Sequence, residues 1–283
     1  MLGGAGSAGN AWVIGVVAGL RDGGVDATDV DLVVGTSAGS TAAAQLATGD
    51  PAALLAEILD AHAGSAPPPG RRGAPPVDHR ARTAAIIAGS RNLPDMRRRL
   101  GAEAMALEGS TDMTVRDRWR SIVASRLPSP AEWPAQRFVV TAVDARTGEP
   151  VLFDSDSGVA LVDAVAASCS SGTAYAIGEG FYLDGGYRAN SDNADLAEGY
   201  ERVLVLSPFG GRARIPREWG AHLEDHVAAL RVAGSRVATV LPDAEAVAAF
   251  GENVMDPASR TPAARAGFAQ GRALASTVRA LWT

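Results

Sequence analysis

Apolar positions along the chain recur with two periods, and together they predict helices alternating with strands. In the segment GNAWVIGVVAGLRDGG, Trp12, Val16 and Leu20 recur every four residues, which is typical of a helix with one buried face. Short runs such as DLVV and ERVLVLS instead have the length and composition of buried strands. Helices are predicted over 9–24, from about 40 to 48, and over 50–64, 79–88, 93–107, 114–126, 160–168, 218–232, 243–250 and 262–281. Strands are predicted over 31–34, 137–145, 150–154, 180–183, 201–207 and 236–242.

This alternation predicts an α/β fold in which helices cover both faces of a mostly parallel sheet. Residues 64–78 contain five prolines and three glycines, so this segment cannot form regular structure. We expect it to be a surface loop rather than a domain boundary. The whole chain, 1–283, is therefore expected to form a single domain.

Composition excludes several classes of chemistry. All 26 basic residues are arginine, so no lysine is present to form a Schiff base or to serve a phosphate-binding P-loop. A net charge of −6 argues against a general nucleic-acid binder. No basic segment leads into an apolar one at the N-terminus, and no uncharged apolar run is long enough to span a membrane. A cytoplasmic protein is expected, and transient contact with the inner membrane face is compatible with this composition.

No metal or cofactor site is predicted. Cys169 is the only cysteine, and its small-residue surroundings favour a buried structural thiol. The four histidines are His62, His79, His222 and His226. The pair in HLEDH shares a helical face but has no third ligand, so surface histidines are expected there.

The strongest local motif is GTSAG at residues 35–39. An apolar strand leads directly into it and a small-residue helix leaves it, which predicts a strand–turn–helix elbow that exposes Ser37. Gly35 and Gly39 would let the backbone pack around the tight turn. A simple turn in which Ser37 caps the helix is the alternative. A triad of Ser37, Asp184 and His222 has the chain order of α/β-hydrolases, but only one strand precedes this elbow.

Asp-Gly-Gly occurs twice, and only the second occurrence suggests chemistry. Asp22-Gly23-Gly24 ends a helix, where a glycine cap explains it. Asp184, followed by Gly185 and Gly186, comes directly after an apolar strand. A carboxylate there, desolvated by apolar neighbours, would have a raised pKa suited to a general base. A common turn is the alternative.

The glycine run GAGSAG at residues 4–9, the elbow about thirty residues later and the DGG near 184 together resemble the patatin-like phospholipases, in a bacterial form. The resemblance spans residues 2–207, and 208–283 is a mainly helical remainder. It implies a three-layer α/β/α fold with Ser37 as nucleophile and Asp184 as general base. Backbone N–H groups of Gly4, Ala5, Gly6 and Ser7 would form the oxyanion hole. Ala8 stands where the family usually has a basic residue, only Met1 and Leu2 precede the glycine run where the family has a strand, and 168–177 lacks the family's proline.

The function implied is hydrolysis of fatty-acyl esters of lipids, of phospholipase A or lysophospholipase type, through an acyl-enzyme. An acyltransferase outcome is open, because an alcohol or thiol would replace water in the last step. Two other functions remain as alternatives: a non-catalytic scaffold of the same family, and a nucleotide-binding protein that uses GAGSAG with Asp26 or Asp29 as the ribose acid. Arg97, Arg98 and Arg99 form either a solvated helix face or an anionic-headgroup contact, and the solvated face is favoured.

Overall fold

The computed structural model describes residues 1–61, 79–107 and 109–282 of the chain. The helices in these ranges are α1 (Gly6–Asp22), α2 (Ala38–Leu46), α3 (Pro51–Asp60), α4 (His79–Ala88), α5 (Leu93–Ala106), α6 (Met113–Ala124), α7 (Leu161–Ser168), α8 (Leu223–Val232), α9 (Ala244–Phe250) and α10 (Arg260–Trp282). The strands are β1 (Val33–Gly35), β2 (Phe138–Asp144), β3 (Pro150–Phe153), β4 (Tyr175–Ile177), β5 (Gly180–Asp184), β6 (Arg202–Leu206) and β7 (Arg236–Val240).

Leu2 joins two groups of strands into one central sheet. β7 is parallel to β6, and β1 is parallel to β2. Leu2 lies between β6 and β1 and forms a single parallel bridge to Leu206 on one side and to Gly35 on the other. Its N–H donates to the carbonyl of Val34 over 2.8 Å, and its carbonyl accepts from the N–H of Thr36 over 3.1 Å. Helices flank this sheet, so the predicted α/β class is confirmed, and the pairings of β3, β4 and β5 are antiparallel.

The central strand β2 brings two strand ends face to face. Val140 pairs with Gly35 of β1 and with Phe153 of β3, and Ala142 pairs with Asp184 of β5 and again with β3. Because a strand has only two edges, β1 and β5 must share one edge of β2 while β3 occupies the other. β1 is parallel to β2 and β5 is antiparallel to it, so their carboxyl ends point toward each other. The two ends are separated by a single residue of β2.

The core is organised around α1, which is buried along its whole middle. Every residue over Ala8–Leu20 is buried, because the helix is covered by α10. Glycines allow the two helix backbones to approach closely. A Cβ atom on Gly15 would lie 2.2 Å from the carbonyl oxygen of Ala264, and one on Gly19 would lie 2.2 Å from that of Phe268. Backbone atoms cannot move aside, so only glycine fits at these positions.

One predicted helix begins later than expected, and one short strand was not predicted. The helix predicted over 218–232 begins only at Leu223, because Gly220 adopts φ 63° and interrupts it. β4 was not predicted, since three residues after a serine-rich stretch show no alternation. The proline-rich segment 64–78 lies outside the described residues. Among the helices of the described ranges, none is long and apolar enough to cross a membrane.

Replacing Gly271 of α10 by alanine tests this close packing. Its Cβ would lie 2.3 Å from the carbonyl oxygen of Val16 in α1. Alanine is the better helix former by about 1 kcal/mol, so an isolated helix would gain stability. We expect Gly271→Ala instead to lower the free energy of unfolding by about 2 kcal/mol because of overpacking, measured by urea denaturation. Gly172→Ala is the control, since no atom lies within 4 Å of a Cβ built there. Equal stability of the two variants would contradict the packing described.

Candidate active site

Ser37 lies in a sharp turn between β1 and α2. Its backbone has φ 52° and ψ −124°, which is a strained conformation for a residue with a side chain. The turn is tight enough to exclude side chains on both flanks. A Cβ on Gly35 would lie 2.5 Å from the Cα of Ser40, and one on Gly39 would lie 2.0 Å from the carbonyl oxygen of Leu2. This is the strand–turn–helix elbow that the sequence predicts.

Three hydrogen bonds that involve side chains hold Ser37 in this conformation. Its hydroxyl donates to Oδ2 of Asp184 over 2.8 Å. Its backbone N–H donates to the hydroxyl of Ser168 over 2.8 Å, and its carbonyl accepts from the hydroxyl of Ser40 over 2.6 Å. The contact with Ser168, a fully buried residue at the end of α7, was not foreseen from the sequence. The serine hydroxyl and the carboxylate are therefore already within proton-transfer distance.

Asp184 is the last residue of β5 and is only 8% exposed. Burial raises its pKa to about 6, and this outweighs the opposing effects of two hydrogen bonds, from the N–H of Gly186 over 2.8 Å and from Ser37. Gly185 must be glycine, because a Cβ there would lie 2.0 Å from Oγ1 of Thr141. The first glycine of DGG thus lets the backbone after Asp184 pack closely against β2, which brings the carboxylate to the serine.

The glycine run passes directly beside Ser37. A Cβ built on Gly4 would lie 2.9 Å from the Cβ of Ser37. The N–H of Gly4 itself donates to the carbonyl of Ser191 over 3.0 Å. The next three N–H groups, of Ala5, Gly6 and Ser7, have no acceptor among the described residues. They form the N-terminus of α1, where the helix dipole favours negative charge.

Comparison with protein families shows to which family the chain belongs. The model of the patatin-like phospholipase family matches residues 1–197. The chain belongs to the patatin-like phospholipase family. This membership implies a lipid acyl hydrolase that acts on lipid ester substrates. A search of curated proteins gave no match at the significance required.

A buried polar cluster connects the two halves of this patatin-like site. Asn193 is fully buried with φ 47°, and its Nδ2 donates to Oγ1 of Thr36 over 3.0 Å and to the carbonyl of Gly185 over 3.0 Å. Thr141 donates from its hydroxyl to Oγ1 of Thr36 over 3.0 Å. Thr36 precedes Ser37, and Gly185 follows Asp184. The cluster therefore ties the serine turn to the carboxylate turn. Only the threonine within the apolar strand FVVTAVD hinted at it in the sequence.

The histidines of HLEDH are not surface residues, and that expectation was wrong. His222 and His226 are each 8% exposed, because both lie on the inner side where α8 packs against the molecule. Nε2 of His222 lies 2.9 Å from the carbonyl oxygen of Ile215, and Nδ1 of His226 lies 3.3 Å from Oδ1 of Asp195. Neither contacts the serine or the carboxylate of the patatin-like site, so a Ser–Asp–His triad through His222 does not form.

The arginine run of α5 is not one solvated face. Arg97 is buried and donates to the carbonyls of Gly148 over 2.6 Å and Arg188 over 2.9 Å, so its role is to hold two loops. Arg98 and Arg99 are half-exposed and lie near Asp95 on the same helix. The preference for a solvated face was therefore wrong for Arg97, whose charge is not available to a headgroup.

Two further residues bear on the predicted chemistry. Cys169 is partly buried, its Sγ lies 3.8 Å from Oγ1 of Thr41, and burial raises the pKa of its thiol to about 12. Such a thiol is not nucleophilic at neutral pH. Asp26, one of the two acids considered for a nucleotide ribose, accepts from the N–H and hydroxyl of Thr28 over 2.9 and 2.6 Å. Within the described ranges, no group of three or more metal-ligating side chains occurs.

Removing the amide of Asn193 tests the connection between the two turns. We expect Asn193→Ala to lower kcat for a soluble ester such as p-nitrophenyl butyrate by about tenfold with KM nearly unchanged, since geometry rather than binding is lost. Ser110→Ala is the matched control. Ser110 is also buried and donates to the carbonyl of Ala104 over 2.6 Å, but it touches neither turn. Both variants should have a lower Tm, and an unchanged kcat in Asn193→Ala would contradict the role given to the cluster.

Proposed function

We propose that Ser37 and Asp184 form a catalytic dyad that hydrolyses fatty-acyl esters of lipids through an acyl-enzyme. The observation that carries this proposal is the 2.8 Å hydrogen bond between the Ser37 hydroxyl and Oδ2 of Asp184. It is made at the meeting point of two strand ends, beside a helix N-terminus with unpaired N–H groups. No cofactor is required, because proton transfer and nucleophilic attack account for the reaction.

In the first half-reaction, the Asp184 carboxylate accepts the hydroxyl proton as Ser37 Oγ attacks the acyl carbonyl carbon. The resulting oxyanion accepts hydrogen bonds from the N–H groups of Ala5 and Gly6. The N–H of Ser7 is the next donor along the chain. The carbon–oxygen bond to the alcohol then breaks, and Asp184 returns the proton to the leaving alkoxide. The lipid alcohol departs and the acyl group remains on Ser37.

In the second half-reaction, Asp184 accepts a proton from water as the water oxygen attacks the acyl carbon. The ester bond to Ser37 breaks, Oγ regains its proton from Asp184, and a fatty acid leaves. If an alcohol or thiol replaces water, the same steps give acyl transfer. Phospholipase A or lysophospholipase specificity belongs to this proposal, as does a single domain over 1–283.

Two alternatives are separated from this proposal by experiment. A non-catalytic patatin-like scaffold would keep the fold without turnover. A nucleotide-binding protein would use GAGSAG for a pyrophosphate, but that loop needs a preceding strand, and Leu2 forms only one isolated bridge to each neighbouring strand. Asp26 is held in a local turn.

A fluorophosphonate probe tests the nucleophile directly. We expect it to label Ser37, detected by peptide mass, and we expect Ser37→Ala to lose labelling and to hydrolyse p-nitrophenyl butyrate on the order of 10⁴-fold more slowly. Ser157→Ala is the control, since Ser157 lies in an exposed turn. Absence of labelling in the folded wild-type protein would support the scaffold, and stabilisation by NAD without labelling would support the nucleotide binder.

The pH dependence tests the base. Asp184 accepts a proton only when ionised, and its pKa is raised to about 6 by burial. We therefore expect kcat/KM to be low at pH 5, to reach half its plateau near pH 6 and to level off above pH 7. Asp184→Asn should remove this rise together with most of the activity. A plateau that already extends down to pH 4.5 would contradict the assignment of a buried carboxylate as the base.

A further inference from the structure

Arg260 reaches the glycine run from a part of the chain that the family match does not cover. It is the first residue of α10, whereas the match ends at residue 197. Its Nη1 donates to the carbonyl of Ser7 over 3.4 Å and to Oδ1 of Asn10 over 3.0 Å. Its Nε and Nη2 have no acceptor among the described residues. One edge of the guanidinium is thus fixed beside the proposed oxyanion hole, and the other edge is open.

The surroundings of Arg260 lack negative charge. No carboxylate in the described part of the chain lies within ion-pair distance of it. Burial and the positive charge of Arg126 both lower its pKa. A half-buried cation that has no carboxylate within ion-pair distance and is repelled by another cation is electrostatically unsatisfied. An anion between the two guanidinium groups would satisfy both.

A chain of hydrogen bonds places Arg126 on the same side of the molecule. Nδ2 of Asn10, which contacts Arg260, donates to Oε1 of Gln45 over 2.9 Å, and Nε2 of Gln45 donates to the carbonyl of Arg126 over 2.9 Å. The Arg126 guanidinium lies over the Trp119 ring, 5.7 Å from its centroid, and has no carboxylate partner in the described ranges. The charge of Arg126 lowers the pKa of the Cys169 thiol, and the charge of Asp184 raises it, so both groups act on the same thiol.

We propose that Arg260, assisted by Arg126, binds the phosphate group of a phosphate-bearing acyl lipid while its ester carbonyl lies at Ser37. This rests on the proposed hydrolase function and names the residue that would select phosphate-bearing substrates for it. The open edge of a guanidinium offers parallel N–H donors that match phosphate oxygens. An acylglycerol phosphate carries both an ester carbonyl and a phosphate on one short backbone, so the oxyanion hole and Arg260 would hold the two ends together.

Two substrates that differ only in the phosphate test this proposal. We would measure kcat/KM for 1-oleoylglycerol 3-phosphate and for 1-oleoylglycerol, both below their critical micelle concentrations. We expect the wild-type protein to prefer the phosphate-bearing substrate by at least about tenfold, consistent with a charge-assisted contact. In Arg260→Gln the ratio of the two kcat/KM values should fall to about one, because only the phosphate-bearing substrate loses a contact.

Controls separate phosphate binding from support of the loop. Arg265→Gln removes an exposed arginine of the same helix and should keep the preference. Arg126→Gln should reduce the preference partly, and Arg260→Lys should retain part of it, because charge remains but the fork is lost. If Arg260→Gln slowed labelling and the hydrolysis of both substrates equally, the residue would only support the glycine run, and the proposal would be overturned.

The source of the phosphate and the proposed hydrolase function are tested separately. We expect glycerol 3-phosphate to inhibit p-nitrophenyl butyrate hydrolysis competitively in the wild type and not in Arg260→Gln. Inhibition by inorganic phosphate without any lipid preference would show a site for free phosphate and would overturn the headgroup assignment. A wild-type protein that hydrolyses p-nitrophenyl butyrate but prefers neither glyceride also overturns it. A folded protein with neither labelling nor hydrolysis would instead contradict the hydrolase itself.

Discussion

The whole site depends on two strands that end against each other on one edge of β2. Because β1 and β5 run in opposite directions along that edge, the residues that follow them must turn away from the sheet at the same place. Gly35 pairs with Val140 and Asp184 pairs with Ala142, so one residue of β2 separates the two turns. A serine two positions beyond β1 and a carboxylate at the end of β5 then meet without any further element.

This junction also costs free energy, because it interrupts backbone hydrogen bonding, and the buried polar cluster offsets that cost. Where two strand ends meet, the sheet's ladder is interrupted and backbone groups are left without partners. Thr141 is the residue between the two pairings, and its hydroxyl and the amide of Asn193 occupy the gap. The amide gives the carbonyl of Gly185 a second hydrogen bond, beside the one that it accepts from the N–H of Arg188 over 3.1 Å. Strain at Ser37 and burial of Asp184 are tolerated because these neighbours fix both turns.

Local patterns in the sequence predicted most of the elements, and the resemblance to a known family singled out Ser37 and Asp184 as the candidate site. Asp50, for example, caps α3 by accepting from the N–H of Ala52 over 3.0 Å, as an aspartate before a proline predicts. Contacts between distant positions could not be predicted in this way. Asn193 lies 157 positions from Thr36, and nothing in its neighbouring residues distinguishes it from a loop asparagine. The burial of His226 likewise depends on how α8 packs, which its polar sequence does not reveal.

The C-terminal part explains why the glycine run has unpaired N–H groups only at its centre. Before the centre, the N–H of Gly4 donates to the carbonyl of Ser191, and after it the N–H of Ala8 donates to that of Val254 over 2.9 Å. A side chain on Gly6 would meet the sulfur of Met255, so the segment before α10 packs directly against the loop. The three central N–H groups are therefore held in place by partners on both sides while remaining unpaired themselves. Since one of those partners, Val254, comes from beyond the family match, the segment that precedes α10 is part of the site's construction.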